Sequence, residues 1–219
     1  MTSEPDADQA LLRRIRAGEQ HALGELFGAH RERLRRMVQL RLDRRLQGRI
    51  DPSDVIQEAF LDATRRLVEY AADPAMPPFL WLRFLTAQRL STLHRIHLGV
   101  KGRDAGREVS LHNGPLPSAD SRSLAAQLLG RLTTPSRAAM RAEVQIRIQN
   151  ALNAMDPIDR EILALRHFEE LSNSETAAVL GLHKAAASNR YVRALRPLKE
   201  ILAPVLELGD DSEAARPHR

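Results

Sequence analysis

The chain has 219 residues, 43% of them hydrophobic, with no cysteine and a formal net charge of +5. That length suits one large domain or two small ones, and the lack of cysteine excludes disulfides, thiolate metal sites and cysteine nucleophiles. The 33 cations are almost all arginine, a bias that a GC-rich genome also produces, so their arrangement says more than their number. Residues 31–49 carry arginine at 31, 33, 35, 36, 41, 44, 45 and 49 against Glu32 and Asp43. Residues 51–62 then hold Asp51, Asp54, Glu58 and Asp62 with no cation. Acids dominate again over 156–175, and 184–199 holds Lys184, Arg190, Arg193, Arg196 and Lys199 with no acid. Charge sorted into alternating blocks points to more than one charged partner.

The opening stretch MTSEPDADQALLRR is acidic, then amphipathic, without the apolar core of a signal peptide. No apolar run approaches the ~18 residues that span a bilayer. A cytoplasmic protein with no membrane insertion is the expectation. From Gln9, Leu11, Leu12, Ile15, Leu23, Leu26 and Phe27 fall at helical spacings, with a break at Gly18. Leu34, Met37, Val38 and Leu42 continue a second helical face. Asp51-Pro52-Ser53-Asp54 is a helix start, with a capping carboxylate, proline in the first turn and negative charge at the positive end. Behind it Val55, Ile56, Ala59, Phe60, Ala63 and Leu67 form one apolar face, leaving Asp54, Gln57, Glu58 and Asp62 elsewhere on the surface. A further helix is predicted over about 78–98 and holds Phe79, Trp81 and Phe84. Trp81 is a candidate base-stacking platform, but its apolar surroundings favour core packing. His94 and His97 have a metal-compatible spacing without a third ligand, so no metal site is expected.

From about residue 99 to 135 the pattern fails, and Gly99, Gly102, Gly106, Gly114, Pro115 and Pro117 read as a linker. Leu124, Leu128, Leu129 and Leu132 suggest one short helix within it. Helical pattern returns near Ala139 and runs to about Leu206, with Asp156-Pro157 repeating the earlier start signal. The fold class is therefore all-α: two small helical domains (1–98 and 139–206) joined by a flexible linker (99–138), with a disordered tail (207–219).

Within the second domain, Ser172 with Glu175 three residues on is a capping box that opens a helix over 173–180. Gly181 supplies the freedom a tight turn needs. In the helix that follows, Ala187, Tyr191, Ala194 and Leu198 mark the packed face. Lys184, Ser188, Asn189, Val192, Arg193 and Arg196 are then turned outward. Such a face reaches base edges through Asn or Arg and phosphates through Lys and Arg. A solvated helical hairpin is the plainer reading of the same residues.

Two blocks resolve the choice by resemblance. DPSDVIQEAFLDATRRL (51–67) with PFLWLRFLTAQRLSTLHRIHL (78–98) resembles region 2 of bacterial sigma factors. MDPIDREILALRHFEELSNSETAAVLGLHKAAASNRYVRALRPLKEIL (155–202) resembles sigma region 4. Both stand in the family's order with only a linker between, which resembles the extracytoplasmic-function (ECF) group. REVSL (107–111), LAAQLLG (124–130) and TPSRAAMRAE (134–143) are similar to a planctomycete-like subgroup of it.

The resemblance implies a sigma factor directing core RNA polymerase to promoters and assisting their opening. Asp54, Gln57 and Glu58 would dock on the basic β′ coiled coil of core polymerase, whose β flap would be a further partner. Gln88, Arg89, Thr92, His94 and Arg95 would read the −10 element. Lys184, Ser188, Asn189, Arg190, Arg193 and Arg196 would meet the −35 duplex. An anti-sigma factor or a kinase-linked regulator would control it. The sequence departs from the family at 185–189, Leu195 and Pro197, and Pro197 is expected to bend or break the last helix. The alternative is a stand-alone helix-turn-helix regulator with a helical N-terminal sensor or dimerisation domain. No P-loop, G-x-S-x-G, H-E-x-x-H or dinucleotide fingerprint is present, so neither an enzyme nor a cofactor is expected.

Overall fold

The computed structural model describes residues 4–19, 21–98, 118–130 and 138–213. Among these the secondary structure is helical, without a strand. The first half comprises α1 (Glu4–Arg16), α2 (Ala22–Arg41), α3 (Pro52–Ala72) and α4 (Pro78–Leu98). Gly18, at φ +84°, makes the left-handed turn that separates α1 from α2. Asp51 caps α3 by accepting from the Ser53 N–H at 2.7 Å, and Pro52 fills the first turn. The apolar faces of the four helices close on one core holding Leu12, Leu26, Leu34, Val38, Val55, Leu82, Leu85 and Leu90. Trp81 belongs to that core, stacked on Tyr70 with ring centroids 4.1 Å apart. It is no base platform.

The second half comprises α5 (Ser121–Gly130), α6 (Ala138–Ala154), α7 (Pro157–Leu163), a π-helical turn (Ala164–Phe168), α8 (Asn173–Leu180) and α9 (Lys184–Glu213). Its core gathers Leu124, Leu129, Ile148, Leu152, Leu163, Phe168, Ala194 and Leu198. Thus α5 is the short helix expected among Leu124, Leu128 and Leu129, and it packs on α6. The rest of the predicted linker, residues 99–117 and 131–137, lies outside the described residues. Asp156 repeats the cap of Asp51, accepting from the Ile158 N–H at 2.8 Å. α9 runs through Pro197 and Pro204 to Glu213. Pro197 therefore does not end the helix. Its missing N–H orphans one carbonyl, that of Arg193, on a residue exposed to water.

The two halves touch. The π-helical turn and α5 both pack on α2. Leu165, Leu171 and Val179 join the core of the first half, and Leu40 of α2 joins that of the second. The Asp120 N–H donates to the Leu40 carbonyl at 3.0 Å.

Candidate nucleic-acid and polymerase interfaces

The helix-turn-helix is built as its sequence requires. Ser172 Oγ accepts from the Glu175 N–H at 3.2 Å, and Glu175 Oε2 accepts from the Ser172 N–H at 2.7 Å. Gly181 sits at φ +63°, and the next N–H, of Leu182, donates back to Ala177. Asn173 Nδ2 donates to the Lys184 carbonyl at 2.9 Å, pinning the start of α8 to the start of α9. Ala177 and Ala187 are buried, and so are Ala194 and Leu198. Lys184, Asn189, Val192, Arg193 and Arg196 are exposed, with Ser188 and Arg190 half-buried. The outward face is the one the spacing marks.

Its charge is not all available. Asp159 of α7 is buried, and it takes Arg190 Nη1 at 2.7 Å, Arg193 Nε at 2.6 Å and Arg193 Nη2 at 2.8 Å. Burial pushes the Asp159 carboxyl up, but the hydrogen bonds from Arg193 and Arg190 outweigh it and hold the group below the usual carboxylate range. Arg166 lies over the Tyr191 ring, 4.1 Å from its centroid, bracing α9 from the other side. Sequence reasoning missed both braces. Asp159 reads locally as charge at a helix start, and its partners lie 31 and 34 residues away.

On the first half, Asp54, Gln57 and Glu58 are exposed along α3. Two residues not foreseen continue that side at seven-residue steps from Asp54: Leu61, 51% exposed, and Val68, 84% exposed. Glu58 also pairs with Arg89 of α4, so one predicted polymerase contact is joined to one predicted −10 contact. On α4, Gln88, Thr92 and Arg95 share a face by spacing. Gln88 Oε1 accepts from Arg66 at 3.2 Å. His94 Nε2 accepts the Asp43 N–H at 3.2 Å, and burial lowers its pKa, which suits the neutral acceptor ring. The five predicted −10 residues thus occupy one helix but not one face.

Residues 145–198 match the family model for sigma-70, region 4. Along nearly the whole chain there is similarity to the RNA polymerase sigma factor NccH of Alcaligenes xylosoxydans, 28% identical over 91% of this chain and 97% of that protein. The ECF RNA polymerase sigma factor SigD of Mycobacterium tuberculosis is 28% identical over 91% of this chain and 86% of that one. In fold the chain matches the solved structure of CnrH in complex with the cytosolic domain of CnrY, with a TM-score of 0.53 at 24% identity. That match covers 91% of this chain and 99% of CnrH.

The chain carries region 4 of the sigma-70 factors and is similar to ECF sigma factors along nearly its whole length. It serves transcription initiation by directing RNA polymerase to promoters, and the stand-alone regulator is set aside. Region 4 accounts for the helix-turn-helix. Among the described residues no helix is long and apolar enough to cross a membrane.

Proposed function

We propose that this sigma factor divides its work among three surfaces, on α3, α4 and α9. The α3 face of Asp54, Gln57 and Glu58, extended by Leu61 and Val68, docks on the basic β′ coiled coil of core polymerase. Region 4 engages the β flap and lays α9 on the −35 duplex. Lys184, Ser188, Asn189 and Arg196 approach the DNA directly, while Arg190 and Arg193 do so from the Asp159 brace. Gln88, Thr92 and Arg95 of α4 handle the −10 strand, with Arg89 released from Glu58 and His94 held beside the site by Asp43. The observation that carries the reading is the outward, acid-free run 184–199 of α9 behind a fully formed capping box and glycine turn.

The segments 107–111, 124–130 and 134–143 support membership of the planctomycete-like subgroup. The solved relative holds the cytosolic domain of CnrY, which supports control of this chain by an anti-sigma factor of its own, or by a kinase-linked regulator, in the cytoplasm. Free region 4 should grip DNA weakly, since non-specific affinities of about 10⁻⁴–10⁻⁶ M are typical of so few phosphate contacts.

Sequencing the 5′ ends of transcripts made by core polymerase plus this chain on genomic DNA tests the assignment. Start sites should share two upstream elements. Asn189→Ala should relax selection at the −35 element alone, and Gln88→Ala at the −10 element alone. Changes at both elements from either substitution, or at neither, would overturn the division of labour.

A further inference from the structure

Two polar contacts tie the outer side of α3 to α4. Glu58 pairs with Arg89. Further along α3, Arg66 Nη1 donates to Gln88 Oε1 at 3.2 Å. Arg66 is exposed and Gln88 half-buried. Among the described residues Arg66 makes no other hydrogen bond or ion pair, and Gln88 Nε2 has no protein partner. We propose that Arg66 is a positioning residue for the −10 contact. It holds the Gln88 amide with its oxygen turned aside and its N–H groups toward the promoter strand. The pair then selects a base with two neighbouring acceptors, cytosine or guanine, over adenine.

The inference rests on the reading of Gln88 as a −10 contact, and the polarity of its amide is the first support. A glutamine amide has an acceptor oxygen and a nitrogen with two donors, and a half-turn exchanges the two ends. A guanidinium has donors only. Turning the Gln88 nitrogen toward Arg66 would set donor against donor beside a positive charge, so the oxygen is the end that faces it. An unconstrained glutamine pairs best with adenine, because it donates to a ring nitrogen and accepts from N6 at once. With its oxygen held by Arg66, Gln88 keeps only the first of those bonds. Cytosine presents N3 and O2 side by side on its pairing edge, and guanine presents O6 and N7 on its groove edge. Gln88 Nε2 beside a further N–H of Arg66 is a donor pair that matches either. Thymine places an N–H between its two acceptors and fits less well. An unstacked strand exposes the edges that such a pair would read.

Charge is the second support. The neighbouring arginines are each matched by an acid, Arg65 by Asp62 at 3.3 Å and Arg89 by Glu58. Arg66 is the arginine of this group whose partner is a neutral amide. Its positive charge is left to the strand, whose phosphates attract it toward the same place. The guanidinium carries five N–H groups in a fixed fork, so it can hold Gln88 and meet the strand at the same time. Gln88, Thr92 and Arg95 share one face of α4 by spacing, which puts this donor pair in line with the other −10 contacts of that helix.

The test uses a promoter from the mapped start sites with its −10 element randomised. Core polymerase with the full chain transcribes the library, and barcoded transcripts report the bases selected. Gln88→Ala identifies the position that Gln88 reads, as the one whose preference it flattens. There the unaltered chain should favour cytosine or guanine over adenine, and the counts distinguish the two. Arg66→Lys keeps a donor-only partner and should keep the ranking. Arg66→Ala frees the amide to turn and should raise adenine about fivefold against the favoured base, the order of one bond in a two-bond base contact. Arg66→Glu draws Nε2 inward and turns Oε1 outward, so it should raise adenine further. If Arg66 served only folding or overall charge, its variants would lower output from all templates and leave the ranking unmoved. That result overturns the inference, as does adenine favoured by the unaltered chain. Failure of the underlying reading looks different, because Gln88→Ala would then flatten no position, and the inference would fall with it.

Discussion

Asp159 decides how freely the recognition helix can place its arginines. With a buried carboxylate shared between Arg190 and Arg193, two of the six predicted −35 contacts leave from a fixed point on α7. Because the folded carboxyl is held below its ordinary value, it contributes stability above the unfolded value near 3.9. That contribution is lost as pH falls through the lowered folded value. Asp159→Asn should therefore cost about 1–2 kcal/mol at pH 7, since partly exposed arginines recover water. It should also flatten the acid limb of the stability curve, as urea titrations from pH 2 to 7 would record. At this scale the sequence was legible where a role depends on exposure. Lys184, Asn189 and Arg196 stand outward as their spacing requires. It was not legible where a role depends on a distant partner, as with Arg89 on Glu58 or His94 under Asp43.

Among the elements, helix starts could be read residue by residue, because a cap is settled within four residues of chain. Asp51, Asp156 and Ser172 all cap as their motifs demand. Ser172→Ala should remove about 1 kcal/mol by deleting one acceptor, and Gly181→Ala about as much by forcing a Cβ into a left-handed turn. Thermal melts of the two variants would check both, with α8 and α9 loosening first in hydrogen exchange. The π-helical turn escaped notice because no period marks it. Its widened register, with the Glu169 N–H donating to the Ala164 carbonyl at 3.1 Å, is set by what Glu169 and Glu170 contact in the other half. Likewise Leu61 and Val68 became notable only once the fold showed them exposed. Val68→Glu should leave the melting temperature unchanged yet weaken core polymerase binding. Equal binding would remove Val68 from the docking face.

For the whole molecule, the all-α class and a sigma region 4 near the C-terminus were legible from periodicity and resemblance. The contact between the halves was not, because Arg33 and Glu169 are 136 residues apart and each reads locally as a solvated charge. Burial pushes the Glu169 carboxyl up, but Arg41 and Arg83 overcome it and hold the group below its ordinary value. Its contribution is therefore complete above the unfolded carboxyl value near 4.3 and is lost only as pH falls below that. Resistance to urea unfolding should keep this contribution from pH 5 to 9 and lose it in stronger acid.

Binding of labelled chain to bacterial core RNA polymerase, beside the Asp54→Arg, Glu58→Arg double variant, tests the sigma-factor assignment and its docking face most directly. Saturable binding that competes with the housekeeping sigma factor and disappears in the double variant is the predicted result. A chain that ignores core polymerase but grips duplex DNA tightly by itself would contradict it.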